Sequence, residues 1–216
     1  MARMKIAVLV SGRGSNMRAI MDAAQDPAYP AEIALVLSNV ASAPALDIAR
    51  EAGIRAEALP HKDFEDREAF DRAVTAVIEE AGCELVVLAG FMRLLSDEFC
   101  TRWHDKLINI HPSLLPSFKG LHVHERMIDA GVRFGGCTVH FVRAEMDAGP
   151  IIVQAAVPVH PGDDADALAA RILTQEHIIY PLAVKWIAEG RVRVSGMRVL
   201  VDGAEAPDGA LVNFNR

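Results

Sequence analysis

Features that announce several common functions are missing from this chain. Cys83, Cys100 and Cys137 are its only cysteines, odd in number and scattered through 216 residues. They form no CxxC pair and no zinc spacing, which argues against a disulfide framework and for reduced, buried thiols. Positive charge is not in excess: 22 Lys and Arg face 29 Asp and Glu, a formal net charge of −7. No global basic field therefore draws the protein to nucleic acid or to anionic lipid. An anionic small substrate would need a local positive feature. No apolar run approaches the ~20 residues of a membrane helix. Met1-Ala2-Arg3-Met4-Lys5 leads into a strand-like run, not into an apolar segment with a small-residue cleavage site. A cytoplasmic protein with no membrane and no nucleic-acid partner is the expectation. Repeats, low-complexity tracts and linkers are also missing. With 51% hydrophobic residues the length suits one core.

What is present is an alternation of short apolar runs with amphipathic stretches. Ile6–Val10, Ile33–Leu37, Ala56–Leu59, Leu85–Ala89 and Leu107–Ile110 read as strands. Between them, Met17, Ile20, Met21 and Ala24 recur at i, i+3, i+4 and i+7, one face of a helix. Ala45–Ala52 and Phe64–Ala81 also read as helices, and Ser96 as the N-cap of another reaching about His104. Buried strands alternating with helices predict an α/β fold with a Rossmann-like, mostly parallel sheet flanked by helices. After residue 115 the pattern changes. A helix over Gly120–Ala130 is followed by strands at Thr138–Val142 and Ile151–Val159, close enough in sequence to pair antiparallel. A long helix over Asp164–Glu189 and a hairpin over Arg191–Val201 complete a mixed C-terminal part, and the tail from Ala204 is expected to fray.

Four segments could carry chemistry. Asn109-Ile110-His111 ends one strand, and Pro112 stops it. Residues i and i+2 of a strand face the same way, so an amide donor and an imidazole point together into the space beyond the sheet. A donor plus a proton carrier is the minimal set for stabilising an oxyanion in acyl transfer. Ser11-Gly12-Arg13-Gly14-Ser15-Asn16 joins the first strand to the first helix, where glycines and N-terminal amides suit a phosphate. Met17 replaces the third glycine of the dinucleotide fingerprint, and no Gly-Lys-Ser/Thr follows, so a monophosphate fits better than NAD or ATP. Taken alone, the same turn serves equally as a tight connection into a helix. Ala89–Leu95 offers a turn, apolar side chains and Arg93, either a slot for a flat ligand or a loop that only packs. Asp147 lies 36 residues beyond His111. Beside it, a carboxylate would orient the imidazole; alone, Asp147 is an ordinary turn residue.

These segments resemble the phosphoribosylglycinamide formyltransferase family, folate-dependent enzymes of purine synthesis. The matching pieces are SGRGSN (11–16), LAGFMRLLS (88–96), NIHPSLLPSFKGLH (109–122), GCTVHFV (136–142), MDAGPII (146–152) and TQEH (174–177). The resemblance implies formyl transfer from 10-formyltetrahydrofolate to the amine of glycinamide ribonucleotide. It implies catalytic roles for Asn109, His111 and Asp147. Gly12, Arg13, Gly14, Ser15, Asn16 and Glu176 would hold the ribonucleotide. Arg67, Met92, Arg93, Leu94, Leu95, Asn109, Arg143, Glu145 and Asp147 would surround the folate. A single formyltransferase domain over 1–216 is expected, with a nucleotide- and phosphate-binding half at 1–105 and a catalytic, folate-binding half at 106–216. Two relatives share the catalytic set. Methionyl-tRNA formyltransferase would need a further β-barrel domain and RNA affinity, and formyltetrahydrofolate deformylase a domain ahead of the Gly-rich turn. The deformylase is the runner-up, since hydrolysis needs only water in place of the amine. A non-catalytic nucleotide-binding module would explain the turn but not the catalytic three together.

Histidines 111, 122, 124 and 140 invite a metal reading, but His122 and His124 fall in a helix-like stretch, where i and i+2 do not share a face. No HExxH or comparable zinc spacing occurs. No metal requirement is expected. Dialysis against a strong chelator should leave formyl transfer intact; activity lost and then restored by zinc would overturn this.

Overall fold

In the computed structural model, which describes residues 2–205 and 211–212, β1 (Met4–Val10) is an interior strand of a seven-stranded sheet. It pairs in parallel with β2 (Ala31–Ser38) on one side and β4 (Leu85–Leu88) on the other. The short β3 (Ala56–Ala58) extends the sheet beyond β2, and β5 (Leu107–His111) extends it beyond β4, all parallel. Then the direction reverses. The strands β6 (Phe134–Phe141) and β7 (Ile151–Pro158) are antiparallel to their neighbours. A separate hairpin, β8 (Val192–Ser195) with β9 (Arg198–Val201), follows the last helix. This is the mostly parallel α/β architecture with an antiparallel C-terminal part that the hydrophobic pattern predicts. Most of the tail expected to fray lies outside the described residues.

Side-chain alternation explains the layers. Ile6, Val8 and Val10 of β1 join one core with Met17 and Ile20 of α1 (Ser15–Ala23), Leu46 of α2 (Pro44–Glu51), Met127 of α5 (Val123–Asp129) and Ile172 of α6 (Ala165–Ala188). Ala7 and Leu9 point the other way, into a core with Phe70, Val74 and Ile78 of α3 (Arg67–Glu80), Phe99 of α4 (Asp97–Arg102) and Trp103 just after it. With both faces covered, the parallel strands can be apolar throughout.

Two helix boundaries differ from the expectation. The stretch expected to start at Phe64 becomes helical only at Arg67, because the Asp66 side chain accepts the Ala69 N–H at 2.6 Å and caps the helix there. A 3-10 turn occupies His61–Asp63 ahead of it. The helix expected from Gly120 starts at Val123, since Gly120 (φ 80°) and His122 (φ 55°) are left-handed and cannot continue a right-handed helix. His122 therefore precedes the helix and His124 lies within it.

One buried side chain ties the longest helix to the sheet under the strand ends. Tyr180 of α6 is fully buried, and its hydroxyl donates to Leu88 O at 2.7 Å, with Ile108 O 3.3 Å away. Tyr180→Phe removes the donor and leaves buried carbonyls, so urea unfolding should show a loss of about 1–2 kcal/mol. An unchanged unfolding free energy would show that this hydroxyl contributes nothing net.

Candidate active site

The strand ends gather the polar residues. The sheet order departs from sequence order between β1 and β4, and in open α/β sheets the crevice at such a point is where ligands bind. Ser11 follows β1 there. Its N–H donates to Gly90 O at 3.1 Å, its hydroxyl donates to Asn39 Oδ1 at 2.6 Å, and Oγ accepts the Met92 N–H at 2.7 Å. The Gly-rich turn and the loop after β4 are thus joined through one serine. At its far end the loop is held by buried Asp71, whose Oδ2 accepts the Ser96 N–H at 2.5 Å. Burial pushes the Asp71 carboxyl up against the opposing effect of that hydrogen bond.

Gly14 carries the turn into α1 at φ 75°, and a Cβ there would sit 2.7 Å from the Ala45 Cβ. Both backbone and space therefore require glycine. No side chain caps α1, so its first-turn amides are open to an anion. Arg13 and Ser15 are exposed beside them. Asn16 points inward instead, and its Nδ2 donates to Glu176 Oε2 at 2.6 Å, a contact between α1 and α6. Asn16 Oδ1 is buried and has no partner. Burial raises the Glu176 carboxyl above its ordinary range, opposed by the Asn16 hydrogen bond and then by the charge of His111.

Asn109 and His111 line one wall of a cavity of about 690 Å³ together with Asp147. Asp147 Oδ2 lies 3.5 Å from His111 Nδ1 and accepts the Gly120 N–H at 2.9 Å; Oδ1 lies 3.9 Å from His140 Nε2. The Asp147 backbone is left-handed, φ 52°, which aims its side chain back at β5 and β6. His111 Nε2 is 2.9 Å from Phe118 O, a group that can only accept, so this nitrogen carries a proton. His140 is buried, and desolvation pushes its ring down, against the Phe141 carbonyl and the Asp147 charge. Burial likewise lowers His124, which lines the same cavity.

The cavity takes Met92, Arg93, Leu94 and Leu95 from the loop after β4 and Arg143 from the loop after β6, where Asp105 holds the guanidinium. Met92, Leu94, Leu121 and Met146 remain exposed, an apolar rim. Arg67 and Glu145 are not in the wall. Glu145 pairs with Lys119 at 2.9 Å, and Arg67 with Glu68 at 3.2 Å. Residues from both sides of position 105 build this cavity, and Asn16 and Glu176 likewise meet across that division. Among the described residues no group of three His, Cys, Asp or Glu could hold a metal ion, and no helix is long and apolar enough to cross a membrane.

The formyl transferase family model matches residues 4–184. The chain belongs to the formyl transferase family. Phosphoribosylglycinamide formyltransferase of Escherichia coli K12 is 45% identical over 204 residues, 94% of this chain and 96% of that protein. The crystal structure of glycinamide ribonucleotide transformylase 1 from Symbiobacterium toebii matches at a TM-score of 0.90 and 44% identity, covering 92% of this chain and 94% of that one. The trifunctional purine biosynthetic protein adenosine-3 of Bos taurus is 49% identical over 88% of this chain, but the chain spans only 19% of its length. A formyltetrahydrofolate deformylase from Burkholderia mallei is more distant, at 31% identity and a TM-score of 0.84, with 70% of its chain covered.

Three formyl transferase residues at this site escape a sequence reading. Ser11 lies within the Gly-rich segment, yet nothing in sequence shows that it bonds the loop after β4. His140 attracts notice only as a possible metal ligand; its place opposite Asn109 depends on strand register. Phe118, also left-handed at φ 54°, presents its carbonyl to His111 from a loop with no local signature. Glu176 generates a prediction. Its folded-state titration lies above the ordinary 4.5, so protonated Glu176 stabilises the fold fully below that value, and the stabilisation is lost as pH rises through the folded value. Glu176→Gln should therefore gain stability over wild type as pH is raised from 4 to 8, while turnover falls. Parallel pH dependence of unfolding in both proteins would show that the buried charge carries no cost.

Proposed function

We propose that this chain transfers the formyl group of 10-formyltetrahydrofolate to the amine of N1-(5-phosphoribosyl)glycinamide, giving N2-formyl-N1-(5-phosphoribosyl)glycinamide and tetrahydrofolate in de novo purine (IMP) synthesis. One observation carries the reading: Asn109, His111 and Asp147 share the wall of an apolar-rimmed cavity, while Glu176 meets Asn16 of the Gly-rich turn. The cavity's ~690 Å³ lies within the range usual for small-molecule sites. The folate is assigned to Met92, Arg93, Leu94, Leu95, Asn109, Arg143 and Asp147. Arg67, which is not in the wall, is assigned to an anionic tail leaving the cavity. The phosphate is assigned to the open amides and side chains of Gly12–Asn16, and the sugar and amine side to Glu176. A cytoplasmic location suits this chemistry.

In this reading the amine nitrogen bonds to the formyl carbon, and the carbonyl electrons move onto oxygen. Asn109 donates an N–H to that oxyanion, and one such donor typically contributes ~10²–10³ in rate; the His111 ring, its nitrogens turned to Phe118 O and Asp147, acts on it through its charge when protonated. Asp147 holds the His111 ring and takes part in moving the proton from the attacking amine to the departing folate nitrogen, whose bond to the formyl carbon then breaks. The competing outcome is hydrolysis, with water in place of the amine. Formyl transfer should depend on glycinamide ribonucleotide; tetrahydrofolate release at the same rate without it would establish the hydrolase instead. Asn109→Ala and His111→Ala should each lose most turnover while keeping the wild-type circular dichroism, and near-normal turnover in either would remove that residue from the mechanism.

A further inference from the structure

We infer that His140 is a positioning residue: as a neutral imidazole protonated on Nδ1, it turns the Asn109 amide so that one Nδ2 hydrogen is held by His140 and the other faces the cavity. The inference deepens the proposed formyl transfer and rests on it for the role of Asn109. The geometry starts from strand register. Asn109 of β5 and His140 of β6 are directly opposed in the antiparallel ladder. Such pairs hold Cβ atoms ~5 Å apart, close enough for short side chains to touch. His140 Nδ1 lies 3.0 Å from the carbonyl oxygen of its neighbour Phe141. That oxygen can only accept, so Nδ1 carries the proton. In a neutral ring Nε2 is then a bare lone pair, and it lies 3.2 Å from Asn109 Nδ2. A lone pair accepts only from the NH₂ end of an amide. The tautomer of one buried ring therefore decides which end of Asn109 sits at β6.

Neutrality matters because of what surrounds the ring. The groups facing His140 are Asn109 and His111 from β5 and Asp147 from the following loop. A protonated Nε2 would donate toward Asp147 Oδ1, now 3.9 Å away, and would repel the Asn109 NH₂. The amide would then be free to rotate its oxygen toward the place where the oxyanion forms. His140 has a side chain only 2% exposed, and desolvation disfavours its charged form. The Asp147 carboxylate thus faces two imidazoles, of which only His111 is disposed to pair with it. The stabilisation from this buried neutral ring is present above the ordinary 6.5 and is lost as pH falls through the lowered folded value.

The test combines tautomer, rate and coupling. In histidine ¹⁵N-labelled wild type, long-range ¹H–¹⁵N correlation should show the His140 ring, assigned by its loss in His140→Gln, as the Nδ1–H tautomer, persisting below the ordinary 6.5. His140→Leu removes the acceptor and should lower kcat about 10- to 100-fold, no more than the ~10²–10³ that outright loss of an oxyanion donor costs, with both KM values changed less than about threefold. His140→Gln can offer Oε1 in place of Nε2 and should recover most of that kcat. In an Asn109→Ala background, His140→Leu should cost nothing further, since its effect passes through the amide. An Nε2–H tautomer, or losses that multiply in the double variant, would overturn the inference. If His140→Leu does not fold, the wild-type tautomer and the His140→Gln rate decide. The tautomer measurement needs no turnover, so a chain that only hydrolyses the formyl donor would sink the proposed function without touching it.

Discussion

The site hangs on one carboxylate and the surroundings that make it selective. Asp147 faces His111 and His140 at 3.5 and 3.9 Å, a difference too small to choose between them by Coulomb energy alone. Burial makes the choice. His140 lies deeper and its charged form is disfavoured, while the His111 ring has Phe118 O on its other side. The Gly120 N–H fixes the carboxylate from a third direction. Three non-glycine residues with left-handed backbones, Phe118, His122 and Asp147, lie in the loops that build this corner, a cost accepted only where the surrounding structure over-determines the conformation.

The sheet supplies the rest. Parallel strands β1, β4 and β5 end on the same side, so Ser11, Gly90 and His111 emerge together although they lie far apart in sequence. The reversal at β6 then returns the chain toward that edge, and the loop after it carries Arg143 and Asp147 back to the ends of the parallel strands. Helix α6 closes the other side. Its Tyr180 hydroxyl reaches two strand carbonyls, and one turn earlier Glu176 meets Asn16. The helix that fills the core thus also places an acid beside the Gly-rich turn.

Much of this was legible from residues alone, for reasons that differ by element. The strands of the parallel half are continuous apolar runs because both sheet faces are covered, and periodicity finds such runs readily. Asn109 and His111 could be paired because i, i+2 spacing in a strand is geometry, not context. The burial of Glu176 could not be read, since α6 packs against α1, α5 and the sheet together, and a helix covered on several sides loses its one-faced pattern. The pairing of Asp147 depends on a positive φ at an aspartate, for which no residue type is diagnostic. The start of α3 was misplaced because apolar spacing ran on past the capping Asp66. The role of Ser11 is a contact across 81 residues, invisible to any local rule.

The facing of Asn109 and His140 has an evolutionary consequence. Side chains of a strand alternate between faces, so sliding β6 by one residue along β5 would bring Val139 or Phe141 opposite Asn109 and turn the imidazole to the other side of the sheet. An insertion between β5 and β6, in residues 112–133, must therefore be absorbed before Phe134 and must also leave Phe118 O on His111 and the Gly120 N–H on Asp147. The ladder is a fixed ruler for Asn109, and the loop above it is tied at two points to the residues beside it.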